Sequence, residues 1–161
     1  MYTRILAALD GSRAARLALD EAVKLAKASG AQVVAVSVVE HPARLVDVGA
    51  VYMAEETPSP AATDAATAAL SEADEVCKAA GVSASTRAVD AYGEDIATVI
   101  ARTADECEAD VIVMGTHGRR GMRRMLVGSV AESVLRAASV PVLMVRHDQT
   151  VQPDLGPSVA L

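Results

Sequence analysis

The chain has no tryptophan and no phenylalanine, and three tyrosines are its whole aromatic content. Its core must therefore be built from Ala, Val, Leu, Ile and Met, and small side chains imply close approach of helices to a sheet. Cysteine is nearly absent too. Cys77 and Cys107 are too few for the disulfide framework of a secreted domain, and neither has a histidine or second cysteine at metal-ligand spacing. Cys77 shares an apolar helical stripe with Ala66, Ala69, Ala73, Val76 and Ala80, and Cys107 shares one with Ile96, Ile100 and Thr103, so both read as buried structural thiols. Long hydrophobic runs are missing: Val33 to Val36 and Val140 to Val145 are far too short to cross a bilayer, and Met1 leads straight into a strand pattern without signal-peptide character. A cytoplasmic protein with no membrane partner is expected. Positive charge is in deficit, 15 Lys and Arg against 21 Asp and Glu for a net charge of −6, which argues against a general nucleic-acid binder.

What the chain does have is length and apolar content. Its 161 residues, 52% of them hydrophobic, suit a single domain that buries roughly 70% of its unfolded surface. Strand and helix patterns alternate along it. Strands are expected at 3–9, 32–39, 83–89, 110–114 and 140–146, and helices at 13–29, 61–80, 94–107 and 129–138. Five strands joined by helical crossovers predict an α/β fold: one open, five-stranded, mostly parallel sheet with helices on both faces, Rossmann-like in outline. Ligands of such sheets bind beyond the carboxyl ends of the strands, where strand order reverses. The domain is expected to span 1–147. Residues 41–60 form a connection much longer than usual, read as a partly ordered lid or partner surface, and 148–161, with Pro153, Gly156 and Pro157, read as a tail outside the fold.

One loop carries chemistry. The apolar run Asp110-Val111-Ile112-Val113-Met114 ends in Gly115-Thr116-His117-Gly118, and nine residues later Gly128-Ser129 opens a stretch with helical spacing. Glycine lets main-chain N–H groups close around an anion, and a helix start adds unpaired N–H groups at the positive end of a dipole. Ser129 is the expected N-cap. Arg119, Arg120, Arg123 and Arg124 lie between the glycines, a local reversal of charge that also suits a polyanion. Turn glycines beside a solvated cationic face would give the same letters. The loop is neither a P-loop, since no Gly-Lys-Ser/Thr occurs, nor the Gly-x-Gly-x-x-Gly dinucleotide fingerprint. A phosphate site is as far as the motif alone leads.

The strings Val113-Met114-Gly115-Thr116-His117-Gly118-Arg119-Arg120-Gly121, Leu126-Val127-Gly128-Ser129-Val130-Ala131 and Pro141-Val142-Leu143-Met144-Val145, with Arg4 to Ser12 at the start, resemble the nucleotide-binding branch of the universal stress protein family. The likeness runs from about Tyr2 to Arg146. It keeps that branch's spacing of Gly, two residues, Gly, nine residues, Gly and Ser without a gap, and it implies the fold shared with adenine-nucleotide α-hydrolases.

By position, the resemblance implies ATP, or AMP or ADP, as ligand, and with it Mg²⁺ held through phosphate oxygens and water, with Asp10 as its candidate carboxylate and no dedicated metal site made of protein ligands. Asp10 would sit near the ribose, although a turn residue before Gly11-Ser12 would look the same. Val38 would offer main-chain groups to adenine, with Ala8 and Leu9 nearby. Met114 would pack beside the nucleoside and Gly115 would approach the ribose. Gly118, Gly128, Ser129 and Val130 would hold phosphates, with His117 and Arg119 near the β- or γ-phosphate. The implied protein is a non-catalytic sensor or switch in the stress response, with a regulatory protein partner, slow hydrolysis or autophosphorylation at Ser129 or Thr116 being its most chemistry. An adenylating α-hydrolase would instead carry a Ser-Gly-Gly-x-Asp-Ser loop, which Leu9-Asp10-Gly11-Ser12 does not match, and a stress protein acting without nucleotide would not need the glycine spacing. The last strand is apolar at every position and lies at a sheet edge by the resemblance, so a homodimer through 140–146 is expected.

Overall fold

The computed structural model describes residues 1–41, 43–48, 51–56, 59–117 and 127–147. Its strands are β1 (Arg4–Ala8), β2 (Gln32–Glu40), β3 (Ala43–Val48), β4 (Val51–Glu56), β5 (Ala84–Ala91), β6 (Val111–Gly115) and β7 (Val142–Val145). Its helices are α1 (Arg13–Ser29), α2 (Pro60–Ala80), α3 (Ile96–Glu106) and α4 (Ser129–Ala137). Five strands form the expected parallel sheet in the order β5-β2-β1-β6-β7.

Alternation along the inner strands sorts side chains onto two faces. Ile5, Ala7, Val33, Ala35, Val111 and Val113 pack with α1 and α2, while Leu6, Ala8, Val34, Val36, Ile112 and Met114 pack with α3 and α4. Each helix offers a stripe of small residues, such as Ala15, Ala18, Ala22 and Ala26 on α1 and Ala97, Ile100 and Ala104 on α3. Alanine is how an aromatic-poor chain brings helix and sheet close. Cys77 is fully buried in the first cluster, where burial, aided by the nearby Asp74 charge, pushes its thiol pKa up. Cys107 is half-buried at the end of α3. Cys77 is buried as expected, whereas Cys107 is less buried than its apolar stripe implied because it is the C-cap residue of α3.

Several boundaries move for physical reasons. Asp95 caps α3 by accepting from the Thr98 N–H at 3.1 Å, so that helix starts at Ile96 rather than 94. Pro60 occupies the first turn of α2, where its missing N–H costs nothing. The long connection after β2 contains an antiparallel hairpin, β3 with β4, in register from Ala43↔Glu56 to Val48↔Val51. No strand was expected there. The far end of the sheet is latched by Asp110, which accepts from the Thr3 N–H at 2.8 Å and the Thr3 hydroxyl at 2.7 Å.

Candidate functional site

From β1 the chain builds outward through β2 to β5 on one side and through β6 to β7 on the other. The reversal therefore falls between β1 and β6, and the crevice in which sheets of this kind bind ligands lies beyond their carboxyl ends. Asp10 follows β1 there, and Thr116 and His117 follow β6. The tertiary fold thus brings together two sequence segments that lie more than a hundred residues apart in the numbering.

The β1 side is an ordered turn. Asp10 accepts the Ser12 N–H at 2.9 Å through Oδ1, and Ser12 in turn caps α1 by accepting the Ala15 N–H at 3.2 Å. These two bonds hold the half-buried Asp10 carboxylate at the mouth of the crevice. The bond to Ser12 is the one expected of a turn residue before Gly11-Ser12.

The β6 side is a junction of three elements. Thr116 donates its N–H to the Val145 carbonyl of β7 at 3.0 Å, and its own carbonyl accepts the Gly128 N–H at 2.6 Å. Its hydroxyl lies 3.1 Å from His117 Nδ1. Thr116 is itself 3% exposed, whereas its neighbour His117 is half-buried. Two of the motif glycines are explained by close packing here. A Cβ on Gly128 would lie 2.8 Å from the Thr116 carbonyl oxygen, and one on Gly115 would lie 2.7 Å from the Ala14 Cβ of α1.

This corrects the expected cap. Gly128, with extended backbone, is the N-cap of α4, and Ser129 is the first helical residue and exposed. The reason is that the Gly128 carbonyl already accepts the Glu132 N–H at 3.0 Å while its N–H reaches back to Thr116, so the helix is anchored one residue earlier. Among the described residues no side chain caps α4, and the first-turn N–H groups, including those of Ser129 and Val130, lack intrahelical partners.

The apolar wall is partly as expected. Ala8 and Met114 are buried in the α3–α4 cluster, and Val38, Val127 and Val130 pack against it. Leu9 separates from them: its side chain belongs to the α1–α2 cluster on the opposite face. Its contribution is main-chain, an N–H donated to the Val36 carbonyl at 2.8 Å. That bond is where β1 stops. β2 runs on to Glu40, paired with β5 through Val38↔Val89, so among the described residues no strand pairs with the β1-facing edge of β2 around Val38.

Gly118 and Arg119 lie outside the described residues. Thr116, bonded to β7 and α4, and Val127, packed against the same cluster as Val130, stand at this junction and were not among the positions expected there. Nothing in the letters marks a threonine after a strand-end glycine as buried, whereas Val127 sits beside a motif glycine and could have been included. Among the described residues no cluster of three or more His, Cys, Asp or Glu could hold a metal ion, and no helix is long and apolar enough to cross a membrane.

A sequence model of the universal stress protein family matches residues 1–146. The chain belongs to that family. It is 34% identical over 159 residues to a putative universal stress protein of Staphylococcus aureus strain USA300, covering 99% of this chain and 92% of that one. Among solved structures, a universal stress protein in complex with cAMP is 27% identical with a TM-score of 0.66, covering 91% of this chain and 98% of that one. The universal stress protein of Archaeoglobus fulgidus in complex with dAMP is 26% identical with a TM-score of 0.66, covering 89% and 98%.

Proposed function

We propose that this protein binds an adenine nucleotide, ATP with Mg²⁺ in the fullest form, in the crevice between β1 and β6, and that it acts as a cytoplasmic regulator in the stress response. The observation that carries the reading is the junction at Thr116, where the end of β6 is bonded directly to the N-cap of α4. That contact aims the uncapped first turn of a helix at the crevice, a ready anion site. The Ala8, Met114, Val38 and Val130 wall beside it suits a nucleoside. The cAMP and dAMP held by the two structural relatives agree with both halves.

In this reading Ser129 and Val130 donate main-chain N–H groups to phosphate, His117 approaches the outer phosphates, and Asp10 meets the ribose or an Mg²⁺-bound water. The protein works as a switch rather than a catalyst: the site offers no lysine of the P-loop kind to draw charge from a leaving phosphate. Of the two hydroxyls considered for autophosphorylation, Thr116 is buried and engaged while Ser129 is exposed, so any such modification falls on Ser129. The β7 edge, with Leu143 39% exposed, pairs with a second copy to give a homodimer.

The test is to denature freshly purified protein, chromatograph what it releases, and titrate stripped protein with Mg-ATP. Near-stoichiometric adenine nucleotide, or micromolar binding lost in Gly118→Val, is the expected result. Absence of both sinks the reading. A steady-state turnover well above one per minute that vanished in Asp10→Asn would overturn the non-catalytic assignment.

A further inference from the structure

β2 outruns one of its neighbours. β1 pairs with it as far as Ala8↔Val36, while β5 pairs with it to Glu40↔Ala91, so among the described residues the four from Ser37 to Glu40 are held from one side. Backbone groups of successive strand residues point to alternate sides. Val36 offers its carbonyl to the Leu9 N–H on the β1 side, and Val33 gives its N–H to the Ser83 carbonyl on the β5 side. Val38 therefore directs its N–H and carbonyl to the β1 side, beyond the end of β1. After His41 the chain leaves for the β3–β4 hairpin, which is a sheet of its own. A strand end paired on one side opens readily, and here a latch stands at its tip. His41 Nε2 lies 2.7 Å from Asp90 Oδ1, and since an ionised carboxylate only accepts, the ring nitrogen donates. Tyr92 covers the imidazole, with ring centroids 4.5 Å apart and planes 31° from parallel, and His41 is 8% exposed. Its Nδ1 is buried without a partner, so among the described residues the bond to Asp90 is the one that fixes the ring.

We infer that His41 and Asp90 are positioning residues that set the site's selectivity for adenine: their bond holds the overhanging end of β2, and with it the main-chain groups of Val38, where a base meets them. The inference rests on the nucleotide reading and names what fixes one of its contacts. Asp90 follows Val89, the β5 partner of Val38, and His41 lies three residues beyond Val38, so the bond ties the two strands together where their ladder ends. A base set against a fixed N–H and carbonyl is read by its own order of donors and acceptors. Adenine has a donor at N6 where guanine has an acceptor at O6. A strand end free to peel away gives up that reading, and it lowers adenine affinity by the fraction of time it spends open.

The test uses the full chain and begins with Asp90, whose side chain is 47% exposed, so that its removal leaves no hole in the core. In Asp90→Ala, hydrogen exchange at the Val39 amide, which faces β5, should quicken about tenfold. Mg-ATP affinity should fall about tenfold, while that for Mg-GTP and for inorganic tripolyphosphate, which make no such contact, should change less than about twofold. Asp90→Asn keeps an acceptor oxygen, and His41→Gln carries an amide nitrogen to where Nε2 stood; both should recover ATP affinity. His41→Asn, the same amide on a shorter stem, should not. A folded Asp90→Ala that binds Mg-ATP as the wild type does overturns the inference. So does one whose tripolyphosphate affinity falls as far as its ATP affinity, since that reports a general loosening, and so does unchanged exchange at Val39. A wild type that binds no adenine nucleotide instead sinks the nucleotide reading, and this role for the pair with it.

Discussion

Gly115 closes β6 directly beneath the first turn of α1, and a methyl group there tests whether that contact is as close as the geometry shows. A Cβ on Gly115 would lie 2.7 Å from the Ala14 Cβ, 2.9 Å from the Ala14 carbonyl carbon and 3.1 Å from its oxygen. Non-bonded carbons rest at about 3.5–4.0 Å, so Gly115→Ala requires helix and strand to part by roughly 1 Å. α1 has little room to yield, because Ala14, Ala15, Ala18 and Ala22 are all buried. Overpacking of this kind costs about 1–3 kcal/mol. At about 2 kcal/mol, Tm should fall by roughly 4–8 °C for a chain of this size. Ala14→Gly removes the nearest colliding atom, at its own cost of up to about 1 kcal/mol for glycine in a helix. The double variant should therefore be more stable than the sum of the two by at least about 0.5 kcal/mol. Rescue is partial, since the Ala14 carbonyl stays in place. Urea denaturation followed by far-UV circular dichroism measures all four chains. A Gly115→Ala protein within about 0.5 kcal/mol of the wild type, or strict additivity in the double variant, refutes the packing argument.

At the opposite end of the sheet, burial works to raise the Asp110 pKa, but hydrogen bonds from the Thr3 N–H, the Thr3 hydroxyl and the Arg4 N–H outweigh it and hold the carboxylate below its usual 3.8. Its contribution is therefore full above that value and is lost as pH falls through the lower folded-state pKa; the difference in stability between wild type and Asp110→Ala, measured by denaturation from pH 6 downward, should shrink as the carboxylate protonates, and a constant difference would contradict the assignment. Ser12→Ala removes the α1 cap and should cost about 1 kcal/mol, while loosening the turn that orders Asp10; unchanged stability by urea titration would show the cap to be idle. Leu143→Lys places a charge on the exposed β7 edge and should give a monomeric mass by sedimentation at micromolar concentration, against the dimeric mass expected of the wild type. A monomeric wild type would remove the dimer itself. Because Thr116 bonds both Val145 of β7 and Gly128 of α4, Mg-ATP should shift the dimer dissociation constant by the same factor by which dimerisation shifts ATP affinity, and a Leu143→Lys monomer that binds ATP just as the wild-type dimer does would show the two to be independent.

The regular part of this fold was legible because it is periodic. Val33 to Val36 and Val111 to Val113 read as buried strands, and the stripes that run with Cys77 on α2 and with Ile96, Ile100 and Thr103 on α3 read as helix faces, since their spacing alone fixes which side is apolar. The hairpin at 43–56 was not read. Its signal, a Gly-Ala pair between Val48 and Val51 with the two-residue spacing of a tight hairpin turn, was present, but alternation there is blurred by adjacent apolar residues such as Leu45 and Val46. Loop length drew attention to the segment without showing its form.

The site was legible as a list of positions and illegible as an arrangement. Glycine spacing marks where the backbone must come close to something, yet the something differs from one glycine to the next. At Gly115 it is Ala14 of α1, and at Gly128 it is the Thr116 carbonyl; in both cases protein stands where the motif alone suggests ligand. The same letters therefore serve packing first, and the proposed phosphate site follows from it: a glycine at 128 allows the 2.6 Å bond to Thr116, and that bond sets where α4 begins and which N–H groups lie in its first turn. Ser129 looked like the cap because a hydroxyl before an apolar-periodic stretch usually is one. It is displaced because the backbone of the preceding glycine reaches a partner 12 residues back in the chain, a contact that no local rule of capping contains.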